Sequence, residues 1–300
     1  MDSHSLKAFV AVVDCGSFSL AADKLYLTQP AVSKRIASLE QQLDAKLFNR
    51  HPKHLTLTES GSVFLTSARE ILREFENAQT ALQNLQTEIA GTLRVISSHH
   101  IGLHRLPMVI KKFLGEYPSV ELKIEFMESE NAYEKIKRNE ADIAFLTLEN
   151  TSDNDSPGQD AALGLAVHID WIDPMNIVCA LEHPLANLAT VNLKTLSGHQ
   201  AILPEKKTFT YAVLERLFSS QSLSLTGTIP TNYLETIKML VSSGLGWTVL
   251  PNTMIDEFLH VIKVDGVTIS RKLGAVSHKN HLLSNSARAF LEVAREIWPD

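Results

Sequence analysis

The chain begins with apolar residues at the spacing of α-helices. In "SHSLKAFVAVVDC" they recur every three or four positions until a glycine ends the pattern, and "SLAADKLY" predicts a second short helix. A third helix is predicted over "TQPAVSKRIASLEQQL", where Thr28 is the expected N-cap and Pro30 lies in the first turn. Its apolar stripe faces inward, so Gln29, Ser33 and Lys34 face solvent.

Two short helices, a tight turn and a third helix with a small, polar or basic outer face predict a helix-turn-helix. The recognition helix of this motif enters the DNA major groove by its amino-terminal end. The following "KLFNRHPKHLTLTESG" predicts two short strands around a basic turn. Such a hairpin is a wing, and it places Arg50 and Lys53 for contact with phosphates or the minor groove. The pattern therefore favours a domain that binds double-stranded DNA.

Residues 59–89 carry a longer apolar repeat. Its spacing alternates between four and three residues over more than three heptads, which predicts a long helix with one apolar seam. The seam consists of Phe64, Ala68, Ile71, Phe75, Ala78, Leu82, Leu85 and Ile89. Such a helix either lies on the core of its own domain or pairs with a second copy of the chain. A helix of this length fits poorly on one compact domain, so we predict self-association into a homodimer or homotetramer.

After Gly91 the chain alternates apolar runs with amphipathic segments. "TLRVIS", "VELKIEFM" and "ADIAFLTL" predict strands and the segments between them predict helices, which is the βαβαβ pattern of a parallel sheet. A second alternating set ends at "WTVLP", and "SRKLGAVSHKN" and "NSARAFLEVAREIW" add a strand and a helix. Two α/β halves joined by crossing strands enclose a cleft, and ligands of such sheets bind beyond the carboxyl ends of the strands.

Length and charge refine this picture. A chain of 300 residues exceeds one ordinary core and predicts two or three domains. The formal net charge of -6 argues at first against nucleic acid, but residues 24–53 hold six Lys or Arg and only two Asp or Glu. A compact basic region binds phosphate even on an acidic chain. No apolar run reaches the roughly 18 residues of a membrane span, and the amino terminus has no basic leader, so we expect a cytoplasmic protein.

The segment "SSHHIGLHRLP" places His99, His100 and His104 within six positions, as a metal or catalytic centre would. His100 and His104 share a helix face, but residue 101 is isoleucine and not the glutamate of an HExxH zinc motif. The only cysteines, Cys15 and Cys179, form no CxxC pair. Nucleophilic catalysis by serine lacks a G-x-S-x-G turn and an acid partner. We predict no catalytic site, no metal and no cofactor, and keep as the alternative a metal-dependent enzyme that uses these histidines.

A different interpretation follows from the position of this segment between a strand and a helix. Backbone N–H groups and the helix dipole favour an anion there, and the serine and histidine side chains add donors. His104 and Arg105, one turn further on, are expected to be solvated or at a subunit surface. The same topology brings other side chains to the cleft. The predicted effector-binding residues are Ser97, Ser98, His99, His100, Glu128, Thr147, Pro204 and Asn232.

The stretch "SFSLAADKLYLTQPAVSKRIASLEQQLDAKLFNR" followed by "LTLTESG" resembles the amino-terminal domain of LysR-type transcriptional regulators. The family's AA..L, QPAVS, LE..L, LF.R and LT..G elements are in register over residues 1–65. Many members have arginine where this chain has Lys34, which keeps the attraction to phosphate but loses bidentate reading of a base. The resemblance assigns DNA contact to Gln29, Pro30, Ser33, Lys34, Arg50 and Lys53.

The resemblance also implies the rest of the architecture. It implies a linker helix that pairs two chains and an effector domain similar to periplasmic binding proteins, whose first strand-to-helix loop contacts the effector. The expected fold class is α/β, with a winged helix-turn-helix, a long linker helix and a two-subdomain α/β effector domain. The predicted domains are residues 1–58 for DNA binding, 59–90 for the linker, and 91–300 for the effector domain, divided into 91–163 plus 267–300 and 164–266.

The predicted function is a ligand-responsive transcriptional regulator and not an enzyme. A small effector, expected to be a carboxylate or other anion, changes the geometry of the dimer or tetramer on operator DNA. RNA polymerase is a further candidate partner, and a membrane is not. A solute-binding protein is a second alternative, which the first sixty residues and the missing signal peptide oppose.

Overall fold

The computed structural model describes residues 1–50, 55–86, 88–148, 164–225 and 231–298. The chain divides into two units, Met1–Gln86 and Thr87–Asp300. No helix within these described ranges combines the length and the apolar composition needed to cross a membrane.

The first unit follows the predicted order of helices and wing. Asp2 caps the first helix by accepting a hydrogen bond from the N–H of Ser5, and Gly16 ends it in a left-handed conformation with φ of 61°. The described elements of this unit are α1 (Ser3–Cys15), α2 (Phe18–Lys24), α3 (Gln29–Leu43), β1 (Phe48–Arg50), β2 (Leu55–Leu57) and α4 (Glu59–Gln83).

A single apolar core joins all these elements, including the first half of α4. The ring of Phe9 in α1 lies 5.4 Å from that of Phe48 in β1 and 5.3 Å from that of Phe64 in α4. Ala68 is fully buried in the same core, and Ile71 packs against it. The first part of the predicted seam therefore packs against its own domain, which is the alternative that the spacing left open.

The LE..L and LT..G elements have structural roles in this unit. The carboxylate of Glu40 accepts hydrogen bonds at 2.9 Å from the Lys46 ammonium group and from the Leu47 N–H. Burial by itself would raise the pKa of Glu40, but these two donors hold the pKa below its ordinary value. At Gly61 an added Cβ would lie 2.1 Å from the carbonyl oxygen of Leu47, so only glycine fits where α4 passes the wing.

The linker helix is shorter than predicted. Residues 59–90 were expected to form it, but α4 ends at Gln83 and a turn follows. Leu85 lies in that turn with 80% of its surface exposed, and Ile89 packs against an apolar core of the second unit. The apolar spacing continues past the end of the helix because the partly buried Ile89 packs against the core of the next domain.

The second unit is an α/β domain. It contains short 3-10 turns at Pro184–Asn187 and Asn252–Met254. The described helices and strands of this unit are β3 (Gly91–Ser97), α5 (His99–His104), α6 (Leu106–Glu116), β4 (Val120–Phe126), α7 (Ser129–Lys137), β5 (Ile143–Thr147), β6 (Leu165–Ala180), α8 (Leu193–Ser197), α9 (Phe209–Ser219), α10 (Leu234–Ser242), β7 (Trp247–Pro251), β8 (Leu259–Val261), β9 (Ile269–His278) and α11 (Asn285–Ile297).

Two long strands connect the halves of this unit. In the described residues the sheet has the order β4-β3-β5-β9-β6-β7, with β8 also paired to β6. Strands β3, β4 and β5 pair in parallel, whereas β9 pairs antiparallel with both β5 and β6. The pairs between β6 and β9 run from one half into the other. These are the crossing strands that the sequence predicted.

The boundary between the halves lies within the crossing strands. On β6, Trp171 belongs to the core of the first half and Met175 to that of the second. On β9, Ile269 belongs to the second half and Leu273 to the first. The predicted divisions at residues 163/164 and 266/267 therefore precede the crossing by several residues, because each strand enters the sheet before it changes core.

Candidate functional site

The amino-terminal end of α3 has an exposed polar surface. Gln29, Pro30 and Lys34 are exposed, and Ser33 is half-buried beside them. The side-chain amide of Gln29 donates a hydrogen bond of 3.0 Å to the Ser33 hydroxyl, which holds both polar groups on one face. Both side chains thus lie at the amino-terminal end of the helix, the end by which a recognition helix enters a major groove.

Tyr26 is a residue of this surface that the sequence did not reveal. It lies in the turn between α2 and α3, with 96% of its surface exposed and a φ of 54°. The helical pattern of "SLAADKLY" included it in α2, whereas that helix ends at Lys24. A tyrosine hydroxyl in this position can donate to a DNA phosphate.

The wing is a two-stranded hairpin as predicted, with Phe48 opposite Leu57 and Arg50 opposite Leu55. Lys53 and the side chain of Arg50 lie outside the described residues. Their contact with DNA stays a prediction.

A pocket lies between the two halves of the second unit. Seven of the eight predicted effector residues line it, from both halves. Ser97 does not: its side chain is fully buried and its hydroxyl donates to the carbonyl of Ser98 at 3.0 Å. Successive residues of a strand point to opposite faces, so only one of two adjacent serines reaches the pocket. The predicted residues in the lining are Ser98, His99, His100, Glu128, Thr147, Pro204 and Asn232.

Parallel strands of the first half bring their carboxyl ends to this pocket. Ser98 follows β3, and its N–H donates to the carbonyl of Phe145 at 2.8 Å, which ties the loop to β5. Glu128 follows β4 as the N-cap of α7. Thr147 ends β5, and its N–H donates to the Ser129 hydroxyl at 2.9 Å. The rule that ligands bind at these strand ends therefore located the pocket.

Arg271 is the main pocket residue that sequence reasoning missed. It lies on β9 where the strands cross, opposite Asp173 on β6. Its Nε donates to the Asp173 carboxylate at 2.8 Å, and its Nη1 donates to the Thr210 hydroxyl at 3.2 Å. Its Nη2 is buried and has no hydrogen-bond partner within the described part of the chain. Arg271 lines the pocket, so a residue with unused donor capacity lies at its wall.

Asp173 also binds the arginine that follows the histidine cluster. The side-chain nitrogen Nη2 of Arg105 lies 3.6 Å from the Asp173 carboxylate, and its guanidinium lies over the rings of Trp171 and Trp298 at 5.7 and 6.0 Å. Of the two places expected for Arg105, solvation is therefore wrong, because its guanidinium lies against an aromatic wall. His104 is also engaged, since its Nε2 lies 3.0 Å from the Glu235 carboxylate.

His100 is a buried imidazole with unusual surroundings. Only 6% of it is exposed, and neither ring nitrogen has a hydrogen-bond partner among the described residues. Burial, followed by the charges of Arg271, His104 and Arg105, lowers the pKa of His100 to about 2. The ring is therefore neutral at physiological pH. Each buried group left without a partner costs about 1–3 kcal/mol, which a ligand at this position recovers.

Two acidic residues, Glu128 and Glu130, also line the pocket. Glu130 accepts a hydrogen bond of 3.1 Å from the N–H of Phe209, and so links α7 of one half to α9 of the other. Glu128 accepts a hydrogen bond of 3.0 Å from the side-chain amide of Asn131. The pocket thus combines a cationic donor, Arg271, with carboxylates, and it suits a molecule that has both an acceptor end and a donor end.

Comparison with known proteins identifies the family. The model described as "Bacterial regulatory helix-turn-helix protein, lysR family" matches residues 3–62, and that of the "LysR substrate binding domain" matches residues 86–299. The chain belongs to the LysR family of transcriptional regulators. The predicted winged helix-turn-helix and α/β fold class are confirmed. This LysR-type regulator is a DNA-binding, ligand-responsive protein, and the enzyme alternative is not favoured.

Relatives of this LysR-type regulator align over nearly its whole length. It is 27% identical to the uncharacterized HTH-type transcriptional regulator YbhD of Escherichia coli, over 99% of this chain and 92% of the relative. It is 29% identical to a probable RuBisCO transcriptional regulator of Nostoc, over 98% of this chain and 87% of the relative.

Solved structures of LysR-type regulators share the fold. A full-length OxyR variant of Pseudomonas aeruginosa has a TM-score of 0.73 at 19% identity, with 98% of this chain and 95% of OxyR covered. CbnR complexed with its target DNA has a TM-score of 0.59 at 18% identity, with 99% of this chain and 100% of CbnR covered.

Proposed function

We propose that this regulator responds to a small organic anion that also carries a hydrogen-bond donor, and that the pocket between the two halves binds it. The observation that carries the proposal is the guanidinium of Arg271, a pocket-lining residue whose buried Nη2 has no partner in the described ranges. A guanidinium is the group that proteins favour for binding carboxylates.

The other pocket residues fit the same kind of molecule. The hydroxyl groups of Ser98 and Thr147 can donate to the anionic end. Glu128 lines the pocket and would repel a simple anion, so it fits a hydroxyl or ammonium group at the other end of the effector.

The free space limits the size of the effector. The free volume of the pocket is about 70 Å³, whereas one ordered water needs about 10–15 Å³. The pocket therefore has room for several waters or for one small metabolite, and a drug-sized ligand would have to widen it.

The position of Arg271 links binding to regulation. Arg271 lies on a crossing strand, and the pocket is lined by both halves. An anion that binds better when the halves are close shifts the population toward a closed arrangement. We propose that this closure changes the relation between paired chains and thereby the spacing or bend of the bound operator.

A thermal-shift screen tests the effector class. We expect short carboxylates that carry a hydroxyl or amino group to raise the melting temperature, and their carboxamide analogues to have no effect. Ser98→Ala should raise the Kd of the best carboxylate about tenfold, because a donor to its charge is lost. Operator binding without effector should stay unchanged.

Ser220→Ala is the matched control, since this exposed serine lies at the far end of α9 from the pocket. It should leave the Kd of the carboxylate unchanged. Equal stabilisation by carboxylates and carboxamides, or equal loss in both serine variants, would contradict the proposed site.

Self-association through the second half of α4 is the other part of the proposal. Phe75 and Leu82 lie seven residues apart on α4 and expose 54% and 69% of their surfaces, although the first half of the seam is covered by its own domain. Ala78 is exposed between them. An apolar strip at heptad spacing is typical of a helix that pairs with a second copy.

Polar replacements test this pairing. Phe75→Gln with Leu82→Gln should raise the dimer dissociation constant by at least about tenfold, because two large apolar side chains lose their burial. Sedimentation velocity at several concentrations measures the constant. The double variant Gln79→Ala and Gln83→Ala changes exposed polar positions of the same helix and should self-associate like the parent. Unchanged association of the Phe75 and Leu82 variant would place the interface elsewhere.

A further inference from the structure

His100, His104 and Glu235 bring three metal-binding side chains together beside the pocket. His100 and His104 stand one turn apart on α5, and Glu235 lies in the first turn of α10. One ligand atom from each residue can be chosen such that all lie within 4.8 Å of one another. The two histidines belong to one half of the domain, whereas the glutamate belongs to the other.

We propose that these three side chains bind a divalent transition-metal ion of the Zn²⁺ type and that the ion joins α5 to α10. The site adjoins the anion pocket and shares His100 with it, whereas His104 and Glu235 are outside the pocket lining and the anion proposal rests on Arg271. Either proposal can hold without the other.

The donor set and its spacing fit such an ion. Two imidazole nitrogens and one carboxylate oxygen are ordinary Zn²⁺ ligands, and a solvent molecule completes a tetrahedron. Ligand atoms at the usual bond lengths lie about 3.3 Å apart in that geometry. His104 Nε2 and the Glu235 carboxylate are already 3.0 Å apart. Both side chains are partly exposed, at 26% and 36%, so they can turn toward His100, which is fixed by burial.

The unpartnered ring of His100 independently indicates a ligand. Its side chain is 6% exposed, and neither nitrogen has a hydrogen-bond partner in the described residues. The nearest carboxylate contact recorded for it, from Nε2 to Asp173, spans 4.0 Å and is too long for a hydrogen bond. Its ring centre lies 4.9 Å from that of His104. A buried imidazole beside a second imidazole and a carboxylate obtains the partner it lacks when a metal ion binds.

The surrounding charges favour some ions over others. The guanidinium groups of Arg105 and Arg271 lie near His100 but contact the carboxylate of Asp173, which offsets part of their charge. Mg²⁺ and Ca²⁺ need several carboxylate or carbonyl oxygens, and these three residues offer only one carboxylate. The remaining positive field opposes any cation, and ions that form strong bonds to imidazole, such as Zn²⁺, Ni²⁺ and Co²⁺, overcome it best.

The direct test is a metal titration of the full chain after removal of any affinity tag and of chelator. Co²⁺ reports coordination through its visible absorption, and Zn²⁺ affinity follows from competition with a chromogenic chelator. We expect one ion per chain. His104→Gln and Glu235→Gln should each raise the Kd for Zn²⁺ by at least about tenfold, since each removes a ligand. Both side chains lie at the domain surface, so circular dichroism should show folded variants.

The double variant His183→Gln and His199→Gln is the matched control. These rings also lie close together, with centres 5.4 Å apart, but they are outside the three-residue group. The control should bind Zn²⁺ like the parent. Loss of affinity only in the control, equal affinity in all variants, or no stoichiometric uptake by the parent would overturn the proposal. Repeating the carboxylate screen in EDTA tests the anion pocket separately.

Discussion

Asp173→Asn should destabilise the second unit by about 3–5 kcal/mol, the range found when one partner of a buried ion pair is removed. Asp173 is 1% exposed and contacts Arg271 at 2.8 Å and Arg105 at 3.6 Å. Asparagine has a similar shape but no charge, so two largely buried guanidinium groups would lose their counter-ion. Because native domains are stable by only about 5–15 kcal/mol, this loss should be visible as a large fall in melting temperature.

Urea denaturation of the full chain, followed by tryptophan fluorescence, measures this loss because Trp171 and Trp298 surround Arg105. Asp170→Asn is the matched control: it makes the same change on β6, three residues away, at an exposed position. The control should change the free energy of unfolding by less than about 0.5 kcal/mol. Equal effects of the two substitutions would show that the crossing strands do not depend on this buried carboxylate.

The contrast between Asp173 and Asp170 shows what the sequence could not reveal. The alternation in "HIDWIDPM" groups Asp173 with the apolar Ile169, Trp171 and Met175 and so favours its burial, but it does not reveal a partner for the buried charge. It also gives no partner for Arg271, which is buried although the adjacent Lys272 is exposed. Their positions depend on how β6 and β9 pair, and these strands are about one hundred residues apart in the chain.

The pocket was easier to predict because it depends on topology more than on side-chain direction. Ser98 and Glu128 follow, and Thr147 ends, a strand that the hydrophobic pattern identified, and parallel strands bring such positions together. The prediction for Ser97 was wrong because it depended on which face of the strand the side chain takes, and Ser97 is fully buried. The donor of Arg271 and the contacts of Asp173 could not be predicted in this way, because they depend on how the strands of both halves pair.

The heptad seam could be predicted from the apolar spacing, but the packing partner of each seam residue could not. Phe64 and Ala68 pack in the core of the first unit, Phe75 and Leu82 are exposed, and Ile89 packs in the second unit. Apolar spacing reports that a residue is buried in some context, and it does not distinguish burial in the same domain from burial in another copy.

The largest loss of DNA binding is expected from a change in the exposed polar surface at the amino-terminal end of α3. Gln29→Glu should weaken specific binding to the operator by at least about tenfold, because one base contact is worth about 1–3 kcal/mol. The change removes the amide donor of an exposed residue at the start of α3 and adds a negative charge near phosphates. The side-chain N–H that Gln29 donates to the Ser33 hydroxyl is lost as well. Fluorescence anisotropy with operator DNA at fixed salt measures the effect.

Gln42→Glu is the matched control, since it adds the same charge to the same helix at an exposed position of its last turn. Thirteen residues of an α-helix separate the two sites, which places Gln42 on a different face and about 20 Å along the axis. A net-charge effect alone would weaken both variants equally and would fall with added salt. Base recognition by Gln29 predicts instead that its variant loses the difference between operator and unrelated DNA, whereas the Gln42 variant keeps it. Retained discrimination in Gln29→Glu would mean that other residues of α3, or Tyr26 beside it, read the operator.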